Sequence, residues 1–93
     1  MYYLKTDYKI IGYKPSNVGY KKYTAVLEHK KTKKQIKIHF GDKNFESFQD
    51  KTGLNMYKTH NDKKRRELYR KRAVGKVKDD YYSASWFSYH ILW

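Results

Sequence analysis

Two short segments with alternating apolar residues constrain this chain most. In Lys22-Tyr23-Thr24-Ala25-Val26-Leu27-Glu28 the residues Tyr23, Ala25 and Leu27 share one face of a strand; in Gln35-Ile36-Lys37-Ile38-His39-Phe40, Ile36, Ile38 and Phe40 do the same. A helix would scatter these side chains around its circumference, so a period of two commits both segments to sheet. The polar stretch His29-Lys30-Lys31-Thr32-Lys33-Lys34 between them makes the pair a hairpin. Lys22, Lys37 and His39 are expected on its other face, and Gly41-Asp42 ends its second strand. A further strand is expected over residues 7 to 13, where Tyr8, Ile10, Ile11 and Tyr13 are strand formers in imperfect alternation. Pro15-Ser16-Asn17-Val18-Gly19 then reads as a turn or loop.

Helical signals lie in the second half. Phe45 and Phe48, three apart, suggest a short helical turn closed by Gly53. From about Asp62 a longer helix is expected. Asn61 or Asp62 can cap it, Asp62 with Arg66 and Glu67 with Lys71 are favourable spacings of four, and Gly75 supplies a stop. On a wheel of about 100 degrees per residue, Leu68, Arg72, Arg65, Tyr69 and Ala73 share one side, and Lys63, Arg66, Arg70, Glu67 and Lys71 the other. The wheel therefore predicts Arg66 and Arg70 towards solvent and Arg65 and Arg72 beside the buried strip. Ser83 caps a last helix, in which Trp86, Tyr89, His90 and Trp93 form a stripe, Phe87 and Ile91 lie beside it and Leu92 falls on the far side.

Ninety-three residues suffice for one domain, residues 1–93. The expected fold class is α+β: strands mainly in residues 1–41, a basic helix over 60–74 and an aromatic helix over 83–93. The predicted core is a small antiparallel sheet with the hairpin at its centre, the basic helix packed on it. Burial is expected to be marginal. Apolar residues make up 39% of the chain, but eleven are tyrosines, whose hydroxyls need a partner or the surface.

A formal charge of +13 on so short a chain favours a polyanionic partner, nucleic acid or an acidic protein surface. No apolar run approaches the roughly 20 residues of a membrane-spanning helix, and the N-terminus lacks the apolar segment of a secretory signal, so the chain is expected to be soluble, not secreted and not bound to membrane. With no cysteine, thiol chemistry and cysteine-based zinc sites are excluded. His29, His39, His60 and His90 lack ligand spacing, and no Gly-rich phosphate loop or nucleophile elbow occurs, so neither metal nor cofactor is expected.

All four arginines lie in Lys63-Lys64-Arg65-Arg66-Glu67-Leu68-Tyr69-Arg70-Lys71-Arg72. Arginine offers a planar fork of donors suited to phosphate or carboxylate, which makes an oxyanion the expected target. His60, Asp62, Arg65, Tyr69 and Arg72 are candidates for one specific anion pocket, with Arg65 and Arg72 as the clamp. A catalytic alternative makes His60 a general base oriented by Asp62 for phosphodiester cleavage. The plainest alternative is a capped basic helix whose arginines are solvated or paired with Asp79 and Asp80. Tyrosines interleaved with lysines, as in Tyr20-Lys21-Lys22-Tyr23, match the pattern of single-strand binding and equally that of a Tyr-rich strand.

Lys22-Tyr23-Thr24-Ala25-Val26, Ile38-His39-Phe40-Gly41, the run His60-x-Asp62-x-x-Arg65-Arg66-x-x-Tyr69-x-x-Arg72, and Ser83-Ala84 with Trp86-Phe87-Ser88 and Ile91-Leu92-Trp93 occur in this order. Together, over about residues 20 to 93, they resemble a family of small basic proteins encoded by large DNA viruses of the mimivirus and chlorovirus kind. The resemblance implies a viral origin and no particular activity. The chain departs from the family's pattern at Ala73, where a histidine is usual, and at Ser85, where a glycine precedes the aromatic pair. The missing histidine weakens readings built on paired histidines and leaves the clamp intact.

The leading expectation is a non-enzymatic viral protein that binds nucleic acid through Lys63, Lys64, Arg65, Arg66, Tyr69, Arg70, Lys71 and Arg72, located in the virion or in the cytoplasm and viral factory of the infected cell. The alternative is a minor capsid or cement protein meeting acidic viral structural proteins, with Trp86, Phe87, Tyr89, Ile91 and Trp93 as interface anchors and oligomerisation through the last helix. A small His60/Asp62 nuclease is the third expectation.

Overall fold

The computed structural model describes residues 3–78 and 80–93. The fold is α+β. Strand β1 is Tyr3–Leu4, β2 Tyr8–Pro15, β3 Tyr23–His29 and β4 Gln35–Phe40; helix α1 spans Lys63–Ala73, β5 is Tyr81–Tyr82 and α2 is Ala84–Phe87. The strands β2, β3 and β4 form an antiparallel sheet with β3 in the middle, and β1 pairs with β5 in a second, two-stranded sheet.

The expected hairpin is β3–β4, in the register Tyr23 to Phe40, Ala25 to Ile38 and Leu27 to Ile36. Its partner β2 has a register shift between Ile10 and Gly12. That bulge explains the imperfect alternation in the sequence. One extra residue lets Tyr8 and Ile10, then Tyr13, all pack against the core, while Ile11 turns out to solvent.

The core holds Tyr23, Ala25 and Leu27 of β3, Ile38 and Phe40 of β4, and Phe87 and Leu92 of the last segment. Phe87 stacks on Phe40 at 5.3 Å between ring centroids, and Tyr13 meets both rings edge-on. Ser83 starts α2 as expected, its hydroxyl accepting from the Trp86 amide at 3.1 Å. Beyond Phe87 the chain widens into a π turn, Ser88–Leu92. The widening corrects the placement of Leu92, which is buried rather than on the far side. In a π turn the hydrogen bond spans five residues instead of four and each residue turns the chain less, so Phe87 and Leu92, five apart, approach the same face, which a wheel of 3.6 residues per turn separates.

Two other expectations are corrected. Lys22 does not project from the open face of the hairpin: it is 2% exposed, its Nζ donates to Ser47 Oγ at 2.9 Å and it lies 5.6 Å from the Tyr57 ring centroid. The segment carrying Phe45 and Phe48 is no helical turn. It belongs to a long irregular connection pinned by a parallel bridge between Ser47 and Thr59, and by the Tyr23 hydroxyl, which donates to Asp50 and accepts from the Met56 amide at 3.1 Å. Burial, followed by the bond to Asp50, pushes the Tyr23 hydroxyl up to about 12. Gly41 begins the connection at a φ of 80°, and a Cβ there would meet Leu92 Cδ1 at 3.0 Å and Lys22 Cβ at 3.1 Å. Only glycine lets β4 end so close to the last turn.

Candidate nucleic-acid interface

Helix α1 starts where the sequence places it. The Asp62 carboxylate accepts from the amides of Lys64 and Arg65 at 3.0 and 3.3 Å. The helix carries no fully buried residue, so an apolar stripe cannot be what docks it.

Arginines dock it instead. Arg66 Nε donates to the main-chain oxygen of Trp93 at 2.8 Å, and Arg70 Nε reaches the same oxygen at 3.4 Å. The Arg66 guanidinium lies 4.7 Å from the Phe48 ring centroid and that of Arg70 4.5 Å from Tyr89. Between them Tyr69 stacks on Trp93, with centroids 4.4 Å apart and planes at 12°. These spacings of three and four form one helix face, and they reverse the predicted division of the arginines. Arg66 and Arg70 are half-buried and hold the helix, whereas Arg65 and Arg72 are exposed. The cause is the surface opposite. It offers aromatic faces and a main-chain oxygen, which a guanidinium satisfies and a leucine cannot, and Leu68 is accordingly 54% exposed. The basic helix thus docks on Phe48, Tyr89 and Trp93 rather than lying flat on the sheet.

Arg65, Tyr69 and Arg72, three members of the candidate anion pocket, do line one cavity of about 700 Å³. Its other wall carries Lys21, Asp42, Phe45 and Glu46, and its floor Ser88, Leu92 and Trp93. His60 and Asp62 are not part of that lining. The His60 ring sits between Phe48 and Trp93, at centroid distances of 6.1 and 5.1 Å. Its Nδ1 accepts from the Asp62 amide at 2.9 Å, while the buried Nε2 has no hydrogen-bond partner among the described residues. Burial, reinforced by the Arg65 charge, holds this imidazole below its ordinary range. The oriented His60–Asp62 pair that a general base requires is therefore not formed: the carboxylate caps the helix and only the amide of Asp62 meets the ring.

The outward cations of α1 are Lys63, Lys64, Arg65, Lys71 and Arg72. Of these only Lys71 enters an ion pair among the described residues, with Glu67 at 3.7 Å. Asp80 forms none with the arginines, and Asp79 lies outside the described residues. No periodicity in the sequence points to the acidic and aromatic wall opposite α1. A lone phenylalanine in the polar run Asp42-Lys43-Asn44-Phe45-Glu46 is the available signal, since such a residue has no neighbours with which to form a buried face.

The proposed interface anchors also find their places. Phe87 is fully buried and cannot anchor a partner; Trp86, Tyr89, Ile91 and Trp93 are half-buried, and Trp86, Ile91 and Trp93 pack against the core. Of the tyrosines in the Tyr-Lys run, Tyr23 is core and Tyr20 is 58% exposed. Among the described residues no helix is long and apolar enough to cross a membrane, and no group of three His, Cys, Asp or Glu is placed to hold a metal ion. No protein-family model, curated protein or solved structure matches the chain.

Proposed function

We propose that this chain is a non-enzymatic basic protein that binds nucleic acid through its phosphate backbone, with the outward face of α1 as the contact surface and the virion of a large DNA virus as its setting. One observation carries the proposal: Arg65, Arg72, Lys63 and Lys64 stand exposed on a docked helix with no carboxylate in ion-pair reach among the described residues. Unpaired surface charge of one sign is the footprint of a polyanion partner, because neutralising phosphates releases their condensed counterions. Arg66 and Arg70, which the wheel turns to solvent, act here as struts.

Binding of labelled DNA and RNA measured over a salt series tests this. Affinity is expected to fall steeply with salt. Arg65→Ala with Arg72→Ala is expected to reduce the logarithmic salt slope by about 0.9 for each phosphate that is no longer neutralised, equally for all sequences. A salt-independent interaction, or a slope unchanged in the double variant, would overturn it. His60→Ala is expected to produce no change in any nuclease assay.

A further inference from the structure

The cavity beside α1 is not uniformly basic, and its two walls differ in kind. On one side stand Arg65 and Arg72, seven residues apart on a single helix face, with Lys76 beyond the helix end; on the other stand Phe45, 66% exposed, Lys21, and the carboxylates of Asp42 and Glu46. Asp42 and Glu46 act electrostatically on the buried Lys22 ammonium, yet they also line this cavity, where a bare phosphate would be repelled by them. An apolar ring left two-thirds exposed beside them is unexplained by packing. The two oddities have one common reading. A nucleotide carries its anion at one end and a flat ring at the other, and the edge of some bases bears amino donors that a carboxylate accepts.

We infer that this cavity is a seat for one nucleotide of a single strand, with its phosphate on Arg65 and Arg72, its base against Phe45, and the amino edge of that base towards Asp42 and Glu46. One oxygen of Asp42 already accepts from the Asn44 amide at 2.9 Å, which fixes the carboxylate and leaves its second oxygen for a ligand. Leu92 and Gly41, both in the lining, lie so close that a Cβ at Gly41 would meet Leu92 Cδ1 at 3.0 Å. Bases in a duplex are stacked and paired, so their faces are closed to Phe45. The seat therefore selects single strands, and among pyrimidines it selects cytosine, whose N4 amino group donates where thymine presents an O4 acceptor. The inference rests on the nucleic-acid reading of α1 proposed above and adds strandedness and base preference to it.

Fluorescence anisotropy with oligodeoxycytidine, oligothymidine and a mixed duplex of about 12 base pairs tests the seat, at a length within the usual range for single-strand sites. The cytidine strand is expected to bind tightest. Phe45→Ala should weaken single-strand binding about fivefold or more and leave duplex binding unchanged, while Phe45→Trp should restore it. Because Phe45 is exposed, neither variant threatens the fold. Asp42→Asn with Glu46→Gln should erase the preference for cytidine while tightening binding to both strands, since two negative charges are gone. Equal affinity for single strand and duplex with a silent Phe45→Ala would overturn the seat and leave backbone binding by α1 standing. Failure of all three nucleic acids to bind at low salt would overturn both.

Discussion

The sheet and helix α1 are held by opposite chemistries. Around β3 the contacts are those of an ordinary core: Tyr23, Leu27, Phe40, Phe87 and Leu92 are almost wholly removed from water and meet one another through rings and methyl groups. Helix α1 buries no residue completely and is fastened by two guanidinium groups, one stacked tyrosine and one shared main-chain oxygen. A chain with a formal charge of +13 is short of apolar side chains, and here it uses its most polar residue type as packing material. Arginine permits this because its flat, weakly hydrated head stacks on rings while its donors stay occupied. The lesson concerns function as well as stability. Identical residues four and seven positions apart on one helix divide into docked struts and exposed side chains, and the division follows from what faces them.

The largest effect should come from breaking the sheet side. Phe87→Ala removes the ring stacked on Phe40 and is expected to cost about 3–5 kcal/mol in urea denaturation, a large fraction of the stability of so small a domain. Breaking the other side should be milder. Arg66→Met with Arg70→Met is expected to cost about 2 kcal/mol, because charged hydrogen bonds and cation–π contacts are removed together. Hydrogen exchange should quicken in α1 before it quickens in β3; uniform loss of protection in both would remove the distinction drawn between the two regions.

A finer separation is expected with pH. The hydroxyl of Tyr23, held at about 12 against an ordinary 10, favours the folded state fully below pH 10, and that contribution disappears as pH rises to about 12. His60 works in the opposite sense. Its lowered value means that the folded state binds its proton less readily than the unfolded one, so the contribution is complete above about pH 6.5 and is lost as pH falls through the folded value. Mild acid should therefore loosen the packing around Trp93 first, and alkali the Tyr23–Asp50 linkage first. Trp93 fluorescence followed against far-ultraviolet circular dichroism would reveal the order, and His60→Gln should abolish the acid limb alone.

What is legible in the amino-acid sequence follows the same boundary. The hairpin is legible because alternation depends on the strand alone, and the caps Asp62 and Ser83 because they depend on a few adjacent residues. The bulge in β2 leaves its trace as imperfect alternation, which only the pairing with β3 interprets. The orientation of α1 is not legible. A helical wheel ranks faces by apolar content and so favours Leu68 and Ala73, whereas the deciding partners Phe48, Tyr89 and Trp93 lie far along the chain. Buried Lys22 escapes notice for a similar reason, since its partner Ser47 comes from a connection with no periodicity at all. Of the cavity, the sequence identifies Arg65, Tyr69 and Arg72 and leaves the opposite wall hidden.

The shared main-chain oxygen of Trp93 also sets a timetable for biosynthesis. Arg66 waits for an acceptor 27 residues downstream, which at ribosomal rates of roughly 5–20 residues per second is an interval of about one to five seconds. An isolated helix of eleven residues is marginal in water, so for that interval the nascent segment is an undocked cationic tether. Until the chain has folded far enough to bring Trp93 to the helix all four arginines are undocked, and packing against Trp93 then occupies two of them.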